Sequence, residues 1–161
     1  MGRTRIWVMA AMLALALMPL WQGSAQAQGQ GISSFPRSKV EIVTQSGARH
    51  GFTVELATTF EQLSQGLMYR RTMAADAGML FDFGEAKPIT MWMKNTLIPL
   101  DMVFLAGDGR VMGVAQRTVP GSLEVISSPG AVRGVLEING GTAERLGIRA
   151  GDRLIHPIFA K

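Results

Sequence analysis

The sequence predicts a mainly β fold: a compact antiparallel β-sandwich or barrel with two short helices. Three observations predict it. Beyond residue 38, short apolar runs alternate with turns rich in Gly, Asp, Asn and Pro, a spacing that suits antiparallel strands better than a parallel sheet with helical crossovers. Only two stretches carry helix start and stop signals. No cysteine is present, so packing rather than disulfide staples must hold the fold, and thiolate catalysis is excluded.

The first 27 residues read as a leader rather than as fold. Arg3 and Arg5 form a basic start, Ile6 to Leu20 is apolar apart from Pro19, and Ala25-Gln26-Ala27 offers the small residues cut by an export peptidase. The apolar run is shorter than the roughly 20 residues that span a bilayer, so the expectation is cleavage after Ala27 and a periplasmic or secreted product. Thr4 separates the two arginines, which does not indicate the twin-arginine route, and without cysteine a lipid-anchored start is excluded. The expected organisation is a signal peptide over 1–27, a flexible Gly, Ser and Gln-rich lead-in over 28–38, and a single β-rich domain over 39–161.

Lys39–Val43 and Thr53–Leu56 alternate polar and apolar around Ser46-Gly47, which predicts a hairpin with a loop longer than two residues. Thr58 to Gly66 is the first helix: Thr58 with Glu61 makes a capping box, Phe60, Leu63 and Leu67 share one face, and Gly66 stops it. Four strands are expected next, at Met79–Phe83, Pro88–Lys94, Asp101–Leu105 and Arg110–Arg117, with Gly107-Asp108-Gly109 turning between the last two. A loop around Pro120, Gly121 and Pro129 precedes a strand at Val132–Ile138. Asn139 to Ile148 holds the second helix, capped by Thr142, stopped by Gly147 and followed by apolar Ile148. Arg153–Ile155 closes the chain as a strand.

The chain carries a net charge of +4, of which Arg3 and Arg5 supply two. The remaining basic residues are dispersed, with Arg70-Arg71 the only adjacent pair, unlike the basic stripe of a nucleic-acid binder. No nucleic-acid partner and no membrane span beyond the leader are expected, and oligomeric state is not legible.

Gly66-Leu67-Met68 with Arg70, Gly78-Met79-Leu80-Phe81 with Phe83, Trp92-Met93-Lys94-Asn95-Thr96 with Pro99-Leu100-Asp101, and Leu136-Glu137 with Gly140-Gly141 occur in that order. From about Lys39 onward this resembles the exported "domain of unknown function 192" family, whose most specific block is Trp-Met-Lys-Asn-Thr. The resemblance implies a compact β-sandwich and no particular activity. Met91 stands where an aromatic residue is commoner, and Arg71-Thr72-Met73 is less typical.

The stretch Thr90 to Asp101 is apolar enough for core yet carries Lys94, Asn95 and Asp101. Charged groups in such a run must meet each other, a ligand or water. On a strand, Trp92 and Lys94 would share one face, with Met91, Met93 and Asn95 on the other. An indole beside an ammonium suits a sugar or an anion; alternatively Trp92 is core and Lys94 snorkels or pairs with Asp101. Arg70, Lys94 and Asp101 could form a net positive hollow for a carboxylate or phosphate, or an internal network fixing the Asn95–Pro99 turn.

The leading expectation is a non-catalytic module binding a small polar, anionic or carbohydrate ligand through Arg70, Trp92, Lys94, Asn95 and Asp101, with Glu137 at the edge. Three alternatives stand beside it. Met91 and Met93, with a third methionine, could handle Cu(I), although methionine is also an ordinary core filler. Asp101 and Glu137 could cleave a glycan as a carboxylate pair. The central block could be wholly structural, in an envelope protein-interaction module. The sequence supplies no zinc-hydrolase spacing and no Gly-x-Ser-x-Gly, and no cofactor or metal is expected. The tail from Gly141 to Ile155 is similar to the helix-turn-strand of a PDZ module, but no Gly-rich carboxylate loop accompanies it.

Overall fold

The computed structural model describes residues 34–160, so the leader and the first residues of the lead-in lie outside the described residues. The strands are β1 (Arg37–Val43), β2 (Arg49–Ala57), β3 (Ala77–Met91), β4 (Leu100–Leu105), β5 (Val111–Thr118), β6 (Ile126–Asn139) and β7 (Arg153–Ile155). Helix α1 (Phe60–Gln65) lies between β2 and β3, α2 (Thr142–Leu146) between β6 and β7, and a 3-10 turn follows at Pro157–Phe159. The fold is mainly β, as expected. It is one seven-stranded curled sheet, a half-barrel, in the order β5-β4-β6-β3-β2-β1-β7, rather than two stacked sheets.

The two edges of this sheet meet at one end. Arg110 bridges to Arg153, and Val111 N donates to Asp152 O (2.8 Å), Gly151 N to Val111 O (2.9 Å) and Leu154 N to Gly109 O (2.8 Å). All pairings are antiparallel except β2 with β3. That exception follows from α1: a parallel pair needs a crossover, and the segment carrying α1 supplies it.

Alternation along the strands creates two apolar clusters, one on each face. Inside the curl lie Val40, Ile42, Val54, Leu80, Val103, Leu105, Leu136, Ile138 and Leu154. Outside lie Met79, Phe81, Leu100, Met102, Phe104, Val132 and Val135, covered by Leu67, Met93 and Phe35. A sheet buried on both faces reads as nearly continuous apolar sequence, which is why Leu100–Leu105 is buried throughout.

Several element boundaries differ from the sequence-based expectation. The lead-in ends earlier, because Phe35 is buried in the outer cluster and Leu56 N donates to Pro36 O. The capping box of α1 uses Thr59 and Gln62 rather than Thr58 and Glu61, a one-residue slip among adjacent threonines. Met79–Phe83 and Pro88–Lys94 are not two strands: β3 runs through both, with register irregularities between Asp82 and Lys87 and again at Pro88–Thr90. It stops at Met91, so Trp92 and Lys94 lie beyond its end. Residues 126–130, expected as loop, extend β6 opposite the far half of β3.

Helix α2 shows the largest difference. Thr142 is buried and gives no cap; Gly141 precedes the helix in a left-handed conformation without a side-chain hydrogen bond. The free N–H groups turn instead to Asp101 of β4, which accepts from Gly141 N (2.9 Å) and Ala143 N (2.7 Å). The stop is as expected: Gly147 is left-handed, and Ile148 N donates back to Ala143 O at 2.8 Å.

Candidate functional site

Side-chain alternation places the two buried carboxylates of the central strands on opposite faces. Across β4 and β6, Asp101 pairs with Ile138 and Met102 with Glu137. Asp101 therefore joins the inner face and Glu137 the outer one. Asp101 is fully buried and satisfied, since Arg117 N adds a third backbone donor at 2.8 Å. It holds β5 and α2 onto β4. It reaches neither Lys94 nor Arg70, and it cannot flank one glycosidic bond together with Glu137.

Arg70 is also occupied. Its guanidinium forms a bidentate pair with Glu55, with Nη1–Oε1 at 3.0 Å, and lies 6.0 Å from the centre of the Phe35 ring. The expected convergence of Arg70, Lys94 and Asp101 on one hollow is not what the structure has. Two strongly buried or half-buried ions found nearer partners, as the cost of leaving a charge unpaired demands.

Trp92, Lys94 and Asn95 stay together in the turn after β3. The Lys94 ammonium sits 5.1 Å from the Trp92 ring centre, a cation–π contact, and Trp92 is 49 % exposed. Asn95 has φ +58 and Tyr69 φ +65, a left-handed backbone that Asn tolerates better than Tyr. The two clasp each other: Tyr69 N donates to Asn95 O (2.8 Å) and Asn95 Nδ2 to the Tyr69 hydroxyl (2.9 Å). This clasp ties the segment after α1 to the turn after β3.

Between those two segments opens a cavity of about 500 Å³. Leu63, Leu67 and Met68 form one wall, Phe81, Phe83 and Met91 another, and Trp92 and Val125 stand at its edge. Phe81 and Phe83, two apart on β3, are stacked with centroids 6.4 Å apart. Gly66 faces Phe81, and a Cβ there would come within 3.0 Å of the ring at φ +49, so only glycine lets α1 end this close to β3.

Glu137 also lines this cavity, 4 % exposed. It stands between Met79 of β3 and Met102 of β4 in the cross-strand register, and both are fully buried. No described side chain or backbone group donates a hydrogen bond to its carboxyl, and burial alone pushes its pKa up to about 8. Of the residues lining the cavity it is the one that ionises. Expected at the edge of a site, Glu137 is instead the ionisable group in the cavity's described lining.

The methionines expected to pair do not face one another. Met91 is half-buried on the cavity wall, whereas Met93 is buried and its sulfur accepts from the Thr118 hydroxyl at 3.1 Å. Among the described residues no group of three or more His, Cys, Asp or Glu is placed to hold a metal ion, and no helix is long and apolar enough to cross a membrane. Sequence reasoning missed Tyr69 and the Phe81–Phe83 wall as site features. The i, i+2 aromatic pair beside a glycine was the available signal.

The curled seven-stranded sheet with two short helices places the chain among small, mainly β folds. Among these, this chain belongs to the domain of unknown function 192 (DUF192) family, described as an uncharacterized ACR, whose profile matches residues 41–156. The chain is similar to a crystal structure from Sinorhizobium meliloti 1021, provisionally named a transcription regulator, with 51 % identity over 80 % of this chain and 99 % of that one and a TM-score of 0.77. It is also similar to a protein of unknown function from Novosphingobium aromaticivorans DSM 12444, with 40 % identity over 78 % of this chain and 89 % of the other and a TM-score of 0.74. No curated protein matches.

Proposed function

We propose that this protein is an exported, non-catalytic binding domain, acting in the periplasm or outside the cell after removal of residues 1–27. Its ligand is a small molecule with an apolar body and one polar group. One observation carries the reading: a buried carboxyl without a protein donor at an otherwise mostly apolar cavity of about 500 Å³. Pockets of ~300–1,000 Å³ with few convergent polar groups are the usual form of small-molecule sites. A carboxyl that opens to an apolar cavity without a described protein donor is a group that a binding partner would stabilise. Trp92 lines the cavity, where its ring can contact the ligand, and Lys94 lies over that ring. Catalysis finds no support in the geometry, because the second carboxylate, Asp101, is saturated by three backbone donors on the opposite face.

Regulation of transcription, the role named for the Sinorhizobium protein, has little support in this chain's charges. Arg49, Arg70, Arg117, Arg133 and Arg153 are each paired with a carboxylate rather than arrayed for phosphates. A second reading, the protein-interaction module, is favoured by a cluster of exposed apolar residues. Trp92, Leu97, Val119, Leu123 and Val125 are all about half exposed or more, and the 119–123 loop is bonded to the Met93–Thr96 turn.

Once residues 1–27 are removed, Trp92 is the single tryptophan of the chain, which makes its fluorescence a direct reporter. A small-molecule screen read by Trp92 emission and thermal shift is expected to yield ligands that respond in the wild type and weaken about tenfold in Glu137→Gln. Responses that persist unchanged in Glu137→Gln would place binding elsewhere and overturn this reading.

A further inference from the structure

The charge inventory of the same cavity narrows the ligand class; the inference rests on the binding role proposed above. We propose that the occupant is an organic cation, an amine carried on an apolar body, whose charged nitrogen pairs with the Glu137 carboxylate. Among the described residues lining the cavity there is no lysine, arginine or histidine to supply that positive charge. Arg70 is held by Glu55, Lys94 lies over the Trp92 ring, and the cross-strand neighbours of Glu137 are the thioethers of Met79 and Met102. From α1 the cavity receives Leu63, Ser64 and Gln65, and from the turn after β3 it receives Trp92 and Thr96; none of these titrates in the ordinary range.

Chemistry distinguishes a cation from the other candidates. A neutral ligand would need only a hydrogen bond, which an uncharged side chain such as glutamine provides as well. What a carboxyl adds is the capacity for charge, and a charge-assisted bond to an ammonium is among the strongest pairings in an apolar setting. The aromatic faces of Phe81, Phe83 and Trp92 are compatible with a cation as well. A bare metal ion fits poorly, because the cavity is many times larger than the coordination sphere of one ion.

The proton balance follows. At neutral pH the empty site holds Glu137 as the neutral acid, since burial disfavours its anion. When an ammonium binds, the carboxyl O–H breaks, its proton leaves to buffer, and the ion pair remains. Binding of an already protonated amine therefore releases close to one proton.

The test uses the protein with a matched set of probes: 2-phenylethylammonium, the neutral 2-phenylethanol and the anionic phenylacetate, with silver(I) as the metal arm. Calorimetry at pH 7 in two buffers of different ionisation enthalpy reads both affinity and proton release. The ammonium is expected to bind at least about tenfold tighter than the alcohol, with nearly one proton released, and both preferences should vanish in Glu137→Gln and in Glu137→Met. Equal or tighter binding of the alcohol or of phenylacetate, lost in the variants, overturns the cation inference and leaves the pocket reading standing. Ammonium binding without proton release overturns it as well, as does binding of silver(I) alone. Failure of all four probes overturns the inference itself, whereas the ligand screen decides the pocket reading separately.

Discussion

Two buried carboxylates show how the surroundings of a single residue decide its chemistry. Asp101 and Glu137 lie on neighbouring strands and are almost equally buried. Asp101 accepts three backbone N–H groups, while Glu137 meets thioethers and rings. For Glu137, whose pKa is raised to about 8 from 4.5, the folded state holds more protons than the unfolded one between those values. Stability is therefore full below the unfolded value and is lost as pH rises through about 8. His156 acts in a different window: burial lowers its pKa, so its contribution is present above 6.5 and is lost as pH falls. Glu137→Gln should remove the loss with rising pH, so its gain over the wild type grows between about pH 4.5 and 8 and levels off above that, at an amount on the order of a few kcal/mol. The acid-side loss should remain, as denaturant unfolding across pH 4 to 9 would show. A difference between variant and wild type that stays constant from pH 4.5 to 8 would mean that Glu137 is not held neutral.

At the scale of the element, the two helices are secured in different ways. Helix α1 carries its own capping box, Thr59 with Gln62, and buries none of its residues fully. It is a cover anchored by Leu63 and by Leu67 just beyond its end, and it forms one wall of the cavity. Helix α2 has no cap of its own and borrows one from β4. Its stability thus depends on β4 being in place. Replacing Asp101 by Ala should leave three backbone donors without this partner, that of Ala143 buried, and cost about 3 kcal/mol. Amide exchange should accelerate at Gly141, Ala143 and Arg117 together, because one carboxylate serves all three. Acceleration confined to α2 would show that β5 is held independently.

For the whole molecule, the defining feature is the seam where the sheet's edges meet. A sheet of this width carries two unpaired edges unless something covers them, and here Gly109, Val111 and Gly151 join β5 to the end of β7. Gly109 sits at φ +82, and a Cβ there would come within 2.4 Å of the Leu154 carbonyl. Gly109→Ala is expected to lower stability by roughly 2 kcal/mol or more, from backbone strain plus the forced opening of the seam. Unfolding by denaturant would measure it. Loss below about 0.5 kcal/mol would show that the edges are held by side-chain packing alone.

The local half of this architecture was legible in the chain. Alternation, turn glycines and the absence of cysteine determined a mainly β domain, its hairpin at Gly47, the Gly147 stop and the closing strand, because each depends on residues near one another in sequence. The motif residues resembling the family were visible for the same reason. What the tertiary structure decided was which face each polar residue joined and whom it met there. Asp101 and Glu137 look interchangeable along the chain, yet the register of β4 and β6 sends one to backbone donors and the other to an apolar cavity. Arg70 found Glu55, fifteen residues before it, and the cap of α2 came from a strand some forty residues away. Pairing energies depend on distance in space, and no spacing along a chain encodes that until the sheet has closed.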